Sequence, residues 1–327
     1  MSIISVENLT KSFKQYRKEP GLKGSLKSLF AREYFDIRAV DSICFRIEEG
    51  EAVGFIGPNG AGKTTTLKML SGILYPTSGE VEVLGYLPSE RKKEFLKQYA
   101  LVMGQKSQLW WDLPPMEGFL LNKEIYEVEE KKFKESVGYL SEILGVEKVL
   151  KIPLRKLSLG QRMKCELIAA LLHDPKILFL DEPTIGLDVV VQKKIRAFLK
   201  QYNIEKNTTL ILTSHYMDDV QELCKRIIVI NSGQIVYDGS LRQLIERYGK
   251  NKTLKLVFNG KVKKSDLGVF GEVVEFQKDG LAATLSVPRV THAALAGKIL
   301  NTLPVDDLDI AETSLEDIIR DIFENGR

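Results

Sequence analysis

Nine consecutive residues of this 327-residue chain, Gly57-Pro58-Asn59-Gly60-Ala61-Gly62-Lys63-Thr64-Thr65, carry the types and spacing needed to hold a phosphate. They fit the pattern G-x-x-x-x-G-K-[ST]. Gly57, Gly60 and Gly62 permit positive φ angles and close approach of backbone N–H groups to phosphate oxygens. Lys63 can reach the outer phosphates of a nucleotide, and the Thr64 hydroxyl can hold Mg²⁺. The flanks match. Residues 52–56 form a short apolar run that reads as a buried strand, and residues 65–70 read as the first turns of a helix. Strand, glycine loop and helix N-terminus together aim positive potential at an anion.

A second group of residues lies downstream. The apolar run 177–180 ends in Asp181-Glu182. At a strand tip Asp181 can hold Mg²⁺, and Glu182 beside it is placed to orient and polarise an attacking water. Alone this pair is a weak signal, but after a matching phosphate loop it is a strong one. Three further features accompany it: Leu157-Ser158-Leu159-Gly160-Gln161-Arg162 ahead of a helix, Gln105 at the end of a strand over 100–103, and His215 just past a strand over 209–213. Gly186-Leu187-Asp188 follows the acid pair.

This ordered set, spread over residues 3 to about 239, resembles the nucleotide-binding subunit of ATP-binding cassette (ABC) transporters. Leu159 stands where the usual signature, LSGGQ, has its first glycine. The resemblance implies ATP and Mg²⁺ as ligands and an α/β fold, a P-loop NTPase with a RecA-like core, an antiparallel β-subdomain and a helical subdomain. It implies that two subunits face each other head to tail. Ser158, Gly160 and Gln161 of one would then close over the γ-phosphate bound at Lys63 of the other. His215 would hydrogen-bond the γ-phosphate, Gln105 would reach Mg²⁺ or the water, and Asp188 would couple the two sites. Adenine needs an aromatic platform; Tyr34 fits first, with Phe35 and Tyr16 after it. The runs VMGQKSQLWWDLP, KLSLGQRM and DEPTIGLDVVVQKKIR look like a bacterial exporter branch linked to viologen and daunorubicin-type efflux. Residues 314–319 are similar to the tail of many exporter ATPases.

The elements that must position these residues are legible in outline. Residues 3–13 alternate like an edge strand, 39–47 and 80–84 read as strands, and 88–173 are helix-rich with helical spacing at 91–99, 116–126, 129–144 and 161–172. Helices are expected at 190–202 and 217–226, and a hairpin over 226–237 turns at Asn231-Ser232-Gly233. The stretch 14–38 carries basic residues, with Leu22, Leu26, Leu29 and Phe30 on one helix face. It reads as an insertion packed on the main domain, or as a basic amphipathic element near a membrane or partner. Trp110 and Trp111 suit either a core or a groove that receives a partner's helix. Composition shifts near residue 248. Residues 1–248 are therefore expected to form the ATP-binding domain, and 249–327 a small α+β accessory domain with strands at 253–258, 269–276, 282–287 and 307–310 and helices at 292–303 and 314–323.

Composition bounds the function. Hydrophobic content of 44% and charged content of 28% describe an ordinary globular protein. A net charge of +3 gives no argument for nucleic acid, and none is expected as a partner. Cys44, Cys165 and Cys224 are far apart and odd in number, which suits a reducing compartment. No signal peptide is read at the start, and no run of about 18 apolar residues could span a bilayer. The expected protein is a cytoplasmic ATPase, peripheral on the inner face of the membrane through membrane-spanning permease subunits and paired with a second ATP-binding subunit as a homodimer. It would power export of a small-molecule or lipid-like substrate. Import, a soluble ABC-type ATPase acting on nucleic acid or ribosomes, and a regulatory cassette are the competing readings. The last would be expected to lose Lys63 or Glu182, and both are present.

Overall fold

A computed structural model describes residues 2–16, 34–249 and 251–325. The chain divides into two compact units, Met1–Gly239 and Ser240–Arg327. The division lies nine residues before the expected 248/249 boundary. The composition break at Gly249 marks the end of a helix, Leu241–Tyr248, that packs on the C-terminal helix Leu315–Asn325 and belongs to the second unit.

Strands of the first unit are β1 (Ser2–Tyr16), β2 (Tyr34–Glu48), β3 (Ala52–Ile56), β4 (Ser78–Val83), β5 (Tyr99–Met103), β6 (Ile177–Asp181), β7 (Thr209–Thr213), β8 (Arg226–Asn231) and β9 (Gln234–Ser240). One sheet runs β2-β1-β4, with β1 antiparallel to both neighbours. This corrects the reading of residues 3–13 as an edge strand. Alternation reports which face of a strand is buried and says nothing about how many neighbours it has. β2 also begins earlier than expected. Residues 34–38 are exposed on both faces, yet they pair with the end of β1 as far as Tyr16↔Tyr34. The expected helix face at 22–30 lies outside the described residues.

The second sheet has the order β5-β6-β7-β3-β8-β9, and the pairs β5/β6, β6/β7, β7/β3 and β3/β8 are parallel. β6 and β7 are apolar and buried along nearly their whole length, as a strand covered on both faces must be. Both sheets contribute to one core. Ile4, Phe45 and Val81 from the first meet Phe55, Phe179 and Ile228 from the second, with Leu67 of the helix Lys63–Leu70. The expected helix over 91–99 is reduced to Lys93–Leu96. Phe95 and Tyr99 have helical spacing, but Tyr99 opens β5 and packs at a tilt against Phe95, 4.8 Å between ring centroids. The helical part proper consists of Pro115–Ile125, Glu130–Leu144 and Leu159–Leu171.

In the second unit, β10 (Asn251–Phe258), β11 (Glu272–Phe276), β12 (Ala282–Pro288) and β13 (Val305–Glu312) form an antiparallel sheet in the order β11-β12-β10-β13. Short helices at Lys264–Leu267 and His292–Thr302 complete a βαββαβ chain order, the split arrangement of ferredoxin-like folds. Leu254, Leu256, Leu285, Val287 and Ile299 are the centre of its own core.

Candidate functional site

The phosphate loop leaves β3 and enters the helix Lys63–Leu70 with Gly62 at φ 109°. A side chain there would meet the Ala39 carbonyl at 2.4 Å, and one at Gly57 would meet the Ile230 carbonyl at 2.3 Å, so both positions require glycine. Lys63 is buried and its Nζ donates to the carbonyls of Gly57, at 2.7 Å, and Pro58, at 3.1 Å. Burial lowers the pKa of its ammonium group, while Glu182 and Asp181 pull it back up. Its ammonium group is thereby folded back onto the loop's own carbonyls, where an anion can compete for it. Asn59 and Gly60 are exposed at the loop tip, Ala61 is buried beneath it, and Thr65 is partly buried in the first turn.

Asp181 and Glu182 arrive at the tip of β6. Thr64 Oγ1 donates to both Asp181 oxygens, at 3.1 and 2.9 Å, and Thr213 Oγ1 donates to Oδ1 at 2.6 Å. A hydroxyl and a carboxylate so paired form a hard-oxygen donor set that suits Mg²⁺, which takes one or two protein oxygens and completes its shell with water and phosphate. Glu182 has φ 55°, a left-handed backbone that few residues other than glycine adopt. Its carboxylate is held from both sides, by His215 Nε2 at 3.0 Å and by Gln105 Nε2 at 3.3 Å. A cavity of about 150 Å³ opens beside it, lined by Glu182, Thr184, Ile185, Ser214, His215 and Tyr216.

The signature residues form a separate station. Ser158 caps the helix Leu159–Leu171 through a reciprocal box: its Oγ accepts from Gln161 N–H at 3.2 Å, and its own N–H donates to Gln161 Oε1 at 3.0 Å. Gly160 lies against Val191, where a Cβ would come within 3.0 Å, and Leu159 lies beside Gly186. Asp188 caps the helix Val189–Lys206, accepting from Val191 N–H at 3.0 Å. Among the described residues, no hydrogen bond joins Ser158, Gly160, Gln161 or Asp188 to residues 57–65.

Tyr34 pairs with Tyr16 in the last described pair of the β1–β2 ribbon, its ring edge-on to Tyr16 at 6.4 Å. Ala39 of the same strand abuts the glycine loop. Five residues of extended chain separate the two, about 17 Å. Phe13 pairs with Ile37, only two residues from Ala39, and its exposed ring carries Lys11 Nζ at 5.3 Å. Phe35 and Tyr16 share the distant end with Tyr34. Trp110 and Trp111 are exposed, which excludes the core reading; Arg162 stacks on Trp111 at 4.3 Å.

Sequence reasoning passed over Thr213, Gly104 and Asp219. Thr213 is opposite Asp181 in the β6/β7 register, a neighbour relation no local pattern reveals. A Cβ on Gly104 would collide with the Glu182 carbonyl at 2.0 Å. Asp219, fully buried, accepts from Ser214 Oγ at 2.7 Å, from Arg196 Nη1 at 3.0 Å and from Thr184 Oγ1. It thereby ties the segments on either side of Glu182 and His215 together.

Comparison with known proteins gives the family of the chain. Residues 40–185 match the family model described as ABC transporter, and residues 250–311 match the EvrA-like ABC transporter C-terminal domain. The chain is 32% identical to the ABC transporter ATP-binding protein NatA of Bacillus subtilis, over 69% of this chain and 91% of that protein. It is 28% identical to the bacitracin transport ATP-binding protein BcrA of Bacillus licheniformis, over 89% of this chain and 92% of the relative. It is 31% identical to the Nod factor export ATP-binding protein I of Burkholderia pseudomallei, over 82% and 88% of the two chains. Among solved structures, an ATP-binding subunit of an ABC transporter superposes with a TM-score of 0.63 at 21% identity, covering 76% of this chain and 93% of that one. The ATP-binding cassette MJ0796, a dimer in a post-hydrolysis state with ADP and Pi, superposes with a TM-score of 0.61 at 24% identity, covering 73% and 99%. At these identities the two structures speak to the fold alone.

Proposed function

The chain belongs to the ABC transporter family of ATP-binding proteins, and from that premise we propose how its residues perform and couple ATP hydrolysis. It is an ATPase whose turnover drives export through separate membrane subunits. Among the described residues no helix is long and apolar enough to cross a membrane.

The observation that carries the site assignment is the bracketing of Glu182 by His215 and Gln105 beside the Thr64–Asp181 pair. ATP lies with its phosphates in the 57–65 loop, and Lys63 turns from its carbonyl contacts to the β- and γ-phosphates. Mg²⁺, held by Thr64 and Asp181, would neutralise phosphate charge. Glu182 orients a water in line with the γ-phosphorus; the new P–O bond forms as the bond to the β-phosphate oxygen breaks, releasing ADP and phosphate. His215 donates to the γ-phosphate. Adenine stacks on Phe13 rather than Tyr34, because Phe13 is on the part of the ribbon that abuts the loop.

The second half of each site comes from another copy of this chain. Ser158 and Gly160 stand apart from the loop, and their station carries exposed Leu159, Val189 and Val190, an apolar surface suited to a facing cassette. The permease docks near exposed Trp110 and Trp111, holding the protein at the inner membrane face. Relatives named for bacitracin transport and Nod factor export support a small-molecule or lipid-like substrate moved outward.

The test is a cysteine pair, Ser158→Cys with Asn59→Cys. Only Cys44 needs replacing, since Cys165 and Cys224 are buried. Cross-links between chains in the presence of ATP are expected, with ATPase rates rising more than linearly with concentration. Cross-links confined to single chains end the composite-site reading.

A further inference from the structure

We propose that Glu166 is a positioning residue that latches the segment after Gln105 to the signature helix, so that movement at the γ-phosphate swings Ser158 and Gly160. Glu166 is 4% exposed and lies on the helix Leu159–Leu171, eight residues, or about 12 Å, beyond Ser158. Its carboxylate accepts from Gln108 N–H at 3.0 and 3.2 Å, from Leu109 N–H at 3.2 Å and from the Ser107 hydroxyl. Among the described residues no basic side chain pairs with it: its hydrogen-bond partners are donors of residues 107–109, and burial, only partly offset by them, raises its pKa above the usual carboxylate value. A carboxylate is costly to bury, and an apolar side chain would fill a helix–loop contact at lower cost. What the carboxylate adds is direction: several charge-assisted bonds to consecutive residues fix the loop as a rigid piece on the helix.

The other side of Gln105 is locked to β6 of the parallel sheet. Gly104 N–H donates to the Asp181 carbonyl at 2.8 Å, and there is no room beside Gly104 for a side chain. The chain between the two locks consists of Gln105 and Lys106 alone. Gln105 itself touches Glu182. Lys106 N–H donates back to the Met103 carbonyl at 3.1 Å, so a change at Glu182 acts on a tight turn around Gln105 whose far end is bonded to the helix that presents the signature. Arg162 on Trp111, and Asn122 Nδ2 donating to the Ala169 carbonyl at 3.1 Å, tie further pieces of the helical part to that same helix.

The latch rests on the reading of Gln105 and Glu182 given above, so the experiment separates the two. Full-length Glu166→Ala, Glu166→Gln and Glu182→Gln are compared with wild type for ATP affinity, kcat per folded molecule, thermal midpoint and ATP-dependent association. For Glu166→Ala, kcat is expected to fall about 2- to 30-fold with ATP affinity within about twofold. Glu166→Gln should be intermediate, because its amide oxygen replaces one acceptor while its NH₂ faces the Gln108 N–H. ATP-dependent association should weaken in the same order when the changes are placed in the Glu182→Gln background. A purely structural role would lower the thermal midpoint and leave kcat per folded molecule unchanged, and that result overturns the latch. If Glu166→Ala does not fold, the near-isosteric Glu166→Gln decides on the same criterion. If turnover is lost in Glu182→Gln and kept in both Glu166 variants, the latch alone fails. If Glu182→Gln keeps full turnover, the site reading fails and the latch with it.

Discussion

His215 Nε2 lies 3.0 Å from Glu182 Oε1, so the residue placed to activate water and the residue placed to sense the γ-phosphate hold each other. With Gln105 on the second oxygen, no face of the carboxylate is idle. Glu182→Gln keeps the shape and removes the charge. The expected outcome is retained ATP binding, ATP-stabilised association and turnover lower by about 10²–10⁴-fold. Phosphate release within a few-fold of wild type would rule out the role.

Thr64 and Thr213 converge on Asp181 with three hydrogen bonds. If that pair holds Mg²⁺, chelation by EDTA abolishes phosphate release and added Mg²⁺ restores it. Asp181→Asn should be inactive at any Mg²⁺ concentration. An EDTA-insensitive rate would remove the metal from the scheme.

Asp219 and Arg196 form a buried ion pair at 3.0 Å, with Asp219 0% exposed. Asp219→Ala leaves the guanidinium without its interior partner and Ser214 and Thr184 without their acceptor. A loss of about 3–5 kcal/mol is expected in urea unfolding of the first unit. Asp219→Asn should cost less, because the acceptor oxygen survives. Equal stability of Asp219→Ala and wild type would refute this account.

His173 is stacked on Tyr126 at 3.8 Å, bonds the Tyr99 carbonyl through Nε2 at 3.1 Å and leaves Nδ1 buried without a partner. Burial drives its pKa from 6.5 down to about 4. The folded state thus binds fewer protons than the unfolded state between those values. The stabilisation is complete above the unfolded value and declines as pH falls toward the folded one, by about 2 kcal/mol at pH 5. His173→Phe preserves the stack and should show a correspondingly smaller loss in urea stability between pH 7 and pH 5. An unchanged loss would place the acid sensitivity elsewhere.

Phe13 and Tyr34 make opposite forecasts for adenine. Phe13→Ala should weaken ATP binding about tenfold, the scale of base–aromatic stacking, and Tyr34→Ala should leave it near wild type. The reverse ranking in equilibrium binding would return the platform to Tyr34.

The family was legible in the sequence because the motifs that carry it are local. Gly57 to Thr65 act through backbone conformation and one helix end, and Ser158 and Gln161 cap a helix three residues apart. Buried strands β6 and β7 announced themselves as apolar runs, and the bounds of β7 were read without error. What tertiary structure decided were relations between distant segments. β1 became a central strand only when β4 returned to pair with it. Tyr34 lies five positions along β2 from Ala39 because the β1–β2 pairing continues that far, and no periodicity marks how far two exposed strands stay paired. Thr213 faces Asp181 through sheet register, Asp219 gathers Ser214, Thr184 and Arg196 into the interior, and Glu166 reaches residues nearly sixty positions earlier. A buried acid looks like any other acid in a sequence. Its partners, and hence its purpose, come into being when packing removes the water that would otherwise have satisfied it.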